Sequence, residues 1–330
     1  MPRFIDRLLT QKWVTETFDL PAWMFESREA IQTRAAGIRE DLRRATVLLI
    51  DNVAEYYFSH HTTSRDKMDG PDQFPHLAPP FPCAFYEYTL KPSMYDVMYT
   101  DASHGNPRRI DQVGVLILSV DARQARNEFP AWNGALEERG TGSAKWVQFV
   151  TVFARQSSDR DVRGPCSLLY LAVGEDGQST SHLRTRVPGI EDKFYEALPE
   201  ELRQLFESLG GLALPAFLAM SFLHCRNVST EQHAAPPKLS KAFNRRHGRP
   251  LVQFKTLAIE PMKEVLRKQG RVEQNGLPKA LHLCRGHFKD YRNSAGLFGK
   301  HKGLFWWDMH ARGDLEHGAV VKDYAVKVAN

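Results

Sequence analysis

Cysteine is scarce in this chain: four in 330 residues, at 83, 166, 225 and 284, with no two at zinc-knuckle spacing. That argues against a disulfide-dense secreted scaffold and suits a reduced, cytoplasmic protein, with two long-range disulfides left open. Long apolar runs are also missing. The most apolar stretch, 212–223, contains Pro215 and is only twelve residues long, whereas a membrane-spanning helix needs about 20. The opening Met1-Pro2-Arg3-Phe4-Ile5-Asp6-Arg7 has no apolar signal core, so neither export nor a membrane is expected. A phosphate-cradling loop is absent. Gly174-Glu175-Asp176-Gly177 is followed neither by Lys-Ser/Thr nor by a dinucleotide-type helix start, and no cofactor is expected. With 22 glycines and 19 prolines the chain is neither collagen-like nor of low complexity.

What is present describes a globular protein. Hydrophobic residues make up 42% and charged residues 25%, and a chain of this length can bury about three-quarters of its extended surface. Its charge is unevenly placed. Residues 224–330 hold 20 Lys and Arg against 9 Asp and Glu, a net +11, while 1–223 hold 24 against 30, a net −6. Eight of the 13 histidines also lie beyond residue 223. A basic module on a mildly acidic body points to a polyanionic partner, with nucleic acid first. The plainer alternative is a soluble domain with a basic surface.

Hydrophobic spacing predicts an α+β fold. Residues 1–25 read as a docked N-terminal arm or short helix carrying Phe4, Leu8, Leu9, Trp13, Phe18, Trp23 and Phe25. Over 27–58, Ile31, Ala35, Ile38, Leu42, Ala45, Leu49, Val53 and Tyr56 recur at three and four residues, which predicts one long helix with Ser27 as N-cap. Residues 60–81 read as a loop. Its His60, His61, Asp66, Asp69 and Asp72 make a poor metal set, because adjacent histidines do not readily face one ion. Strands are predicted at 83–90, 112–120, 145–154 and 166–173. Their nearly unbroken apolar character implies burial on both faces of a mixed or antiparallel sheet. Helices follow at 190–209 and 212–223. Residues 229–250 read as an exposed basic loop, 251–259 as a strand, 261–269 as a short helix, and 281–288, 304–307 and 320–328 as strands. Three parts are thus expected: 1–80, with arm, long helix and loop; 81–223, the main sheet and helices; and 224–330, a basic, mostly β module.

The densest polar run is His282-Leu283-Cys284-Arg285-Gly286-His287-Phe288-Lys289-Asp290-Tyr291-Arg292. Extended, it puts His282, Cys284, Gly286 and Phe288 on one face and Arg285, His287, Lys289 and Tyr291 on the other. Arginine offers planar donors to phosphate, and histidine transfers protons near neutral pH, so Arg285 and His287, with Tyr291, are candidates for phosphodiester binding or cleavage. A structural role for the pair stays open beside these. Gly299-Lys300-His301-Lys302-Gly303 reads as a basic turn, and Trp306 in the following aromatic run is the candidate to stack a base. With Arg245, Arg246, Arg249, Lys289, Arg292, Lys300 and Lys302 these residues make the expected nucleic-acid surface. His282, Cys284, His287, His310 and His317 match no zinc signature, and no metal is expected.

The run from His282 to Tyr291 with the tryptophan strand to Trp307 resembles the C-terminal signature of a phage and plasmid protein family that includes a large anti-CRISPR protein opposing a type V nuclease. His224-Cys225-Arg226-Asn227-Val228, Pro237-Lys238-Leu239 and the run from Arg245 to Pro250 are also similar to members of that family. The likeness covers 220–330. Asp308-Met309-His310 departs from it, standing where proline is common. The resemblance implies a regulator that acts during translation, recognising a nascent polypeptide and causing loss of its messenger RNA. It carries over no catalytic residue. The expected function is therefore a non-enzymatic phage- or plasmid-type regulator that binds RNA or a ribosome-associated complex through its basic end. A metal-independent ribonuclease using Arg285 and His287, and a protein-interaction or structural role, are the alternatives.

Overall fold

Four long strands carry apolar residues at nearly every position, and the structure buries them in the middle of one sheet. The computed structural model of the chain describes residues 2–13, 28–61, 74–91, 98–100, 107–128, 144–158, 160–162, 164–180, 184–185, 210–260, 280–284, 287–297, 299–307, 310–312 and 314–319. The first elements are α1 (Phe4–Thr10), α2 (Arg28–Arg44), β1 (Thr46–Leu49), α3 (Asp51–His61) and β2 (Cys83–Thr89). Next come β3 (Met98–Thr100), β4 (Pro107–Arg109), β5 (Gln112–Asp121), α4 (Ala122–Glu128), β6 (Ala144–Arg155), β7 (Ser167–Gly174) and β8 (Arg184–Thr185). After them stand α5 (Leu214–Leu223), β9 (Val228–His233), α6 (Pro237–His247) and β10 (Phe254–Ile259). The chain continues through β11 (Ala280–Cys284), β12 (His287–Asp290), β13 (Leu304–Trp307), β14 (His310–Arg312) and β15 (Asp314–Ala319).

The chain divides into two units, one of Met1–Leu223 with Thr230–Leu257 and one of His224–Ser229 with Ala258–Asn330. In the first, an eight-stranded mixed sheet has the order β8-β7-β6-β5-β2-β1-β10-β9. β1 runs parallel to both neighbours, and β2, β5, β6 and β7 form an antiparallel meander. Helices cover this meander on both faces. α1 and α2 lie over Cys83, Phe85, Leu116 and Phe153 in a core that also takes in Ile5, Leu8 and Trp13. On the other side α3 packs with β2 and α5, and the Tyr88 hydroxyl donates to the Leu212 carbonyl at 2.6 Å. No helix among the described residues is long and apolar enough to cross a membrane.

The expected single helix over 27–58 is two helices separated by a strand. Leu49 continues the helical spacing, but Thr46, Val47, Leu48 and Leu49 pair in parallel with β2, and Leu48 and Leu49 also with β10, so β1 lies inside the sheet. Ladder bonding on both sides and burial of Val47 and Leu48 outweigh local helical preference, and the β-branched residues suit a strand. Ser27, the helices expected at 190–209 and 261–269 and the strand expected at 320–328 fall outside the described residues. The expected strand 281–288 is also two elements. β11 pairs with β14 and β15, whereas β12 pairs with β13 in a separate sheet. The segment 229–250 is not a loop, since β9 and α6 occupy most of it.

One buried acid ties the N-terminal helix to the sheet. The Glu87 side chain on β2 accepts the Phe4 and Ile5 N–H groups, each at 3.1 Å, at the start of α1. These donors have no partner inside the helix, so the carboxylate satisfies them. Burial pushes the Glu87 pKa up from its ordinary 4.5 to about 7, and the two N–H donors oppose that rise. A raised folded-state pKa means that the folded state holds the proton more tightly. The associated stability is fully present below pH 4.5 and is lost as pH rises through about 7. Stability measured by urea titration is expected to fall with a Glu87-dependent slope of at most about 1.4 kcal/mol per pH unit across that window. Glu87→Gln is expected to remove this component of the slope. An unchanged pH profile in the variant would show that Glu87 does not titrate there.

Candidate nucleic-acid interface

The net +11 of 224–330 is shared between the two units. Residues 230–257, part of the first unit, hold six Lys and Arg against one Glu, and the second unit holds 14 against 8. The expected boundary at 224 therefore cuts through the observed division.

In the first unit the basic residues are carried by α6. Pro237 stands at its first position, where the missing N–H costs nothing, and Gly248 ends it at φ 71° with its N–H on the Asn244 carbonyl at 2.8 Å. Arg245, Arg246 and His247 stand in the last turn, where cations suit the helix dipole. Lys238, Lys241 and Arg245 are spaced three and four apart and share a face, with Arg246 beside them, over roughly 12 Å of helix. No residue of α6 is buried, and none of these four cations has a carboxylate partner among the described residues. Like charges at such spacing cost a helix about 0.2–0.5 kcal/mol per pair. Leu239 is 53% exposed, while Phe243 lies against His247 with ring centroids 4.4 Å apart. The helix thus presents a row of unpaired cations beside an apolar residue, a composition suited to phosphates and bases.

Arg249 was expected on the same surface but lies half-buried beyond the helix end. Burial is the largest cause holding its pKa down, Asp6 acts against that, and Arg43 adds to it.

The second unit uses its polar run differently. β12 and β13 pair with His287 opposite Trp307 and Phe288 opposite Trp306. Trp306 is 2% exposed and packs edge-on against Phe288, so it has no free face for a base. That corrects its expected stacking role: the ring is buried against its cross-strand neighbour. Lys289 stands over the Trp307 ring at 4.2 Å. Arg292 is held by Asp290 through Nε at 3.0 Å and Nη2 at 2.6 Å, so its charge is balanced locally. Tyr291 packs against Phe305 and donates its backbone N–H to the Gly303 carbonyl. Lys300 and Lys302 are exposed around the turn that ends at Gly303. His287 is exposed on β12, but Arg285 lies outside the described residues, and the side chains of His282, Cys284, His310 and His317 are likewise outside them. Among the described residues no group of three or more His, Cys, Asp or Glu is arranged to hold a metal. Cys83, Cys166 and Cys225 form no disulfide among the described residues. Burial raises Cys225 to about 12, which fits a packing residue rather than a nucleophile.

A cavity of about 740 Å³ beside β5, β6 and β7 is lined by Asp121, Arg123, Lys145, Glu175 and Asp176. Asp121 and Asp176 each accept a backbone N–H two residues on, at 2.8 and 2.9 Å, as turn formers do. Its mixed charges show no convergence on a reacting atom. With residues 229–250 read as a loop, the expected surface leaves out Lys238, Lys241, Leu239 and Ser240. The signal was the three- and four-residue spacing of Lys238, Lys241 and Arg245, masked by the flanking prolines and glycine. Compared with known proteins, the chain matches no family model, no curated protein and no solved structure.

Proposed function

We propose that this protein binds RNA, free or within a translating ribonucleoprotein, through the outer face of α6, and acts as a non-enzymatic regulator of the phage and plasmid type. The observation that carries this reading is the row of Lys238, Lys241, Arg245 and Arg246, exposed and without carboxylate partners among the described residues. Anionic phosphates relieve the repulsion within such a row, and the exposed Leu239 beside it gives an apolar contact for a base. Lys300 and Lys302 are a second exposed cationic pair, in the other unit.

Filter binding of single-stranded RNA at several salt concentrations tests it. Four phosphate contacts predict a log–log salt slope contribution of about −3, from roughly −0.7 per contact on single strands. Replacing Lys238, Lys241, Arg245 and Arg246 by alanine is expected to flatten the slope by that amount and to leave the melting temperature at or above the parent's. A parent without RNA binding at low salt, or a variant with the parent's slope, would overturn the reading.

A further inference from the structure

Between α2 and the segment from β9 to β10, a cavity of about 300 Å³ is lined by Arg43, Arg249, Ser240, Ala234 and Ala235, among others. Two arginines, close enough to repel each other, and a serine line one small space. The Arg249 Nε is buried and has no hydrogen-bond partner among the described residues. Leaving a buried charged donor unpaired is costly, and a charged acceptor is its best partner. Asp6 attracts Arg249 from nearby but gives it no hydrogen bond, and its two oxygens accept the Val252 N–H at 3.0 Å and the Arg3 N–H at 3.1 Å. Arg43 gives Nη1 to Glu40 at 2.6 Å and keeps its other nitrogens as donors. Ser240 Oγ accepts the Leu251 N–H at 3.3 Å, which leaves its own proton to donate.

We propose that this cavity binds a single phosphoryl group between the guanidinium groups of Arg43 and Arg249, with the Ser240 hydroxyl as a further donor. Planar guanidinium forks match phosphate oxygens, and a dianion offsets both the mutual repulsion of the two arginines and the desolvation of Arg249. A planar monoanion such as acetate satisfies one fork and leaves the other charge unbalanced. The site is separate from the outer row of α6 and does not depend on RNA binding there. Its phosphoryl group comes either from an RNA end or from a free phosphorylated small molecule.

The test is calorimetric titration of the full chain with inorganic phosphate, beside thermal melts in phosphate and in acetate at equal ionic strength. Saturable phosphate binding and a melting temperature higher in phosphate than in acetate are expected. Arg249→Met is expected to weaken binding at least tenfold, and Arg43→Met several-fold, while the double variant Lys238→Ala, Lys241→Ala binds phosphate like the parent. Arg43 has an exposed side chain, so its variant decides the matter if Arg249→Met does not fold. Absence of saturable binding, equal stabilisation by acetate, or parent-like affinity in Arg43→Met would overturn the proposal. Competition of phosphate against 5′-phosphorylated and 5′-hydroxyl oligonucleotides identifies the source. Displacement of the phosphorylated strand alone assigns an RNA end, and displacement of neither assigns a small molecule.

Discussion

Replacing Asn227 with alanine is expected to destabilise the second unit by roughly 3–5 kcal/mol, from several buried polar groups left unpaired at about 1–3 kcal/mol each. The Asn227 side chain is 5% exposed. Its Nδ2 donates to the Trp306 carbonyl at 2.8 Å and to the Glu260 carbonyl at 2.9 Å, and its Oδ1 accepts the Trp306 N–H at 3.0 Å. The amide therefore copies a strand's backbone along the edge of β13 that β12 leaves open. Nearby, Cys225 bridges to Leu304 in parallel, and the Arg226 N–H reaches the Leu304 carbonyl at 2.8 Å. Alanine leaves both backbone groups of Trp306 buried and unpaired, and aspartate keeps the acceptor but loses the donor. Hydrogen exchange read at Trp306 and Trp307 is expected to accelerate strongly in Asn227→Ala, with the urea midpoint lowered. Parent-like exchange would mean that water replaces the amide without penalty.

Gly114→Val is expected to cost the first unit about 3 kcal/mol or more, at the upper end for overpacking a core. A Cβ at Gly114 would lie 2.9 Å from Phe85 Cε2, closer still to its Cζ, and 3.4 Å from Phe4 Cδ1. Phe85 is fully buried and wedged against Phe153, so it cannot turn aside. The side chain would displace Phe85 or lift α1, and lifting α1 breaks the two hydrogen bonds to Glu87. Glycine is needed at this strand position for close packing rather than for an unusual backbone angle. Urea unfolding checks the cost. The milder Gly114→Ala should fall between parent and valine, and equal stability of all three would show that the core accommodates the extra methyls.

The four meander strands were legible because each is nearly all apolar and bounded by turn residues. Their burial on both faces follows from that composition. The buried helix over 214–223 was legible for the same reason. The break between α2 and α3 was not, because Ala45, Leu49 and Val53 keep the helical spacing across the strand that Thr46 and Val47 favour. Pairing with Lys255 and Thr256, far along the chain, decides between them. Period and propensity are local quantities, and a parallel pair is not. α6 went unread because Pro236, Pro237 and Gly248 signal turns as strongly as they cap a helix.

The candidate site divides along the same line. Net basic charge after residue 223 was plain in the composition, and so were the residues that carry it. Which of those cations stand free was invisible. Arg292 is neutralised by Asp290 two residues away, Arg249 sits over a cavity shared with Arg43, and Trp306 is buried by its strand partner. The amino-acid sequence alone determined the α+β composition, the apolar strands and the basic end of the chain, since each depends on residue type and near-neighbour spacing. Only the tertiary structure decided that residues 230–257 join the first unit's sheet, that α6 holds its cations outward, and that Asn227 completes an edge of β13. Those outcomes rest on pairing and burial between residues far apart in the chain, and no local pattern encodes which distant partner will arrive.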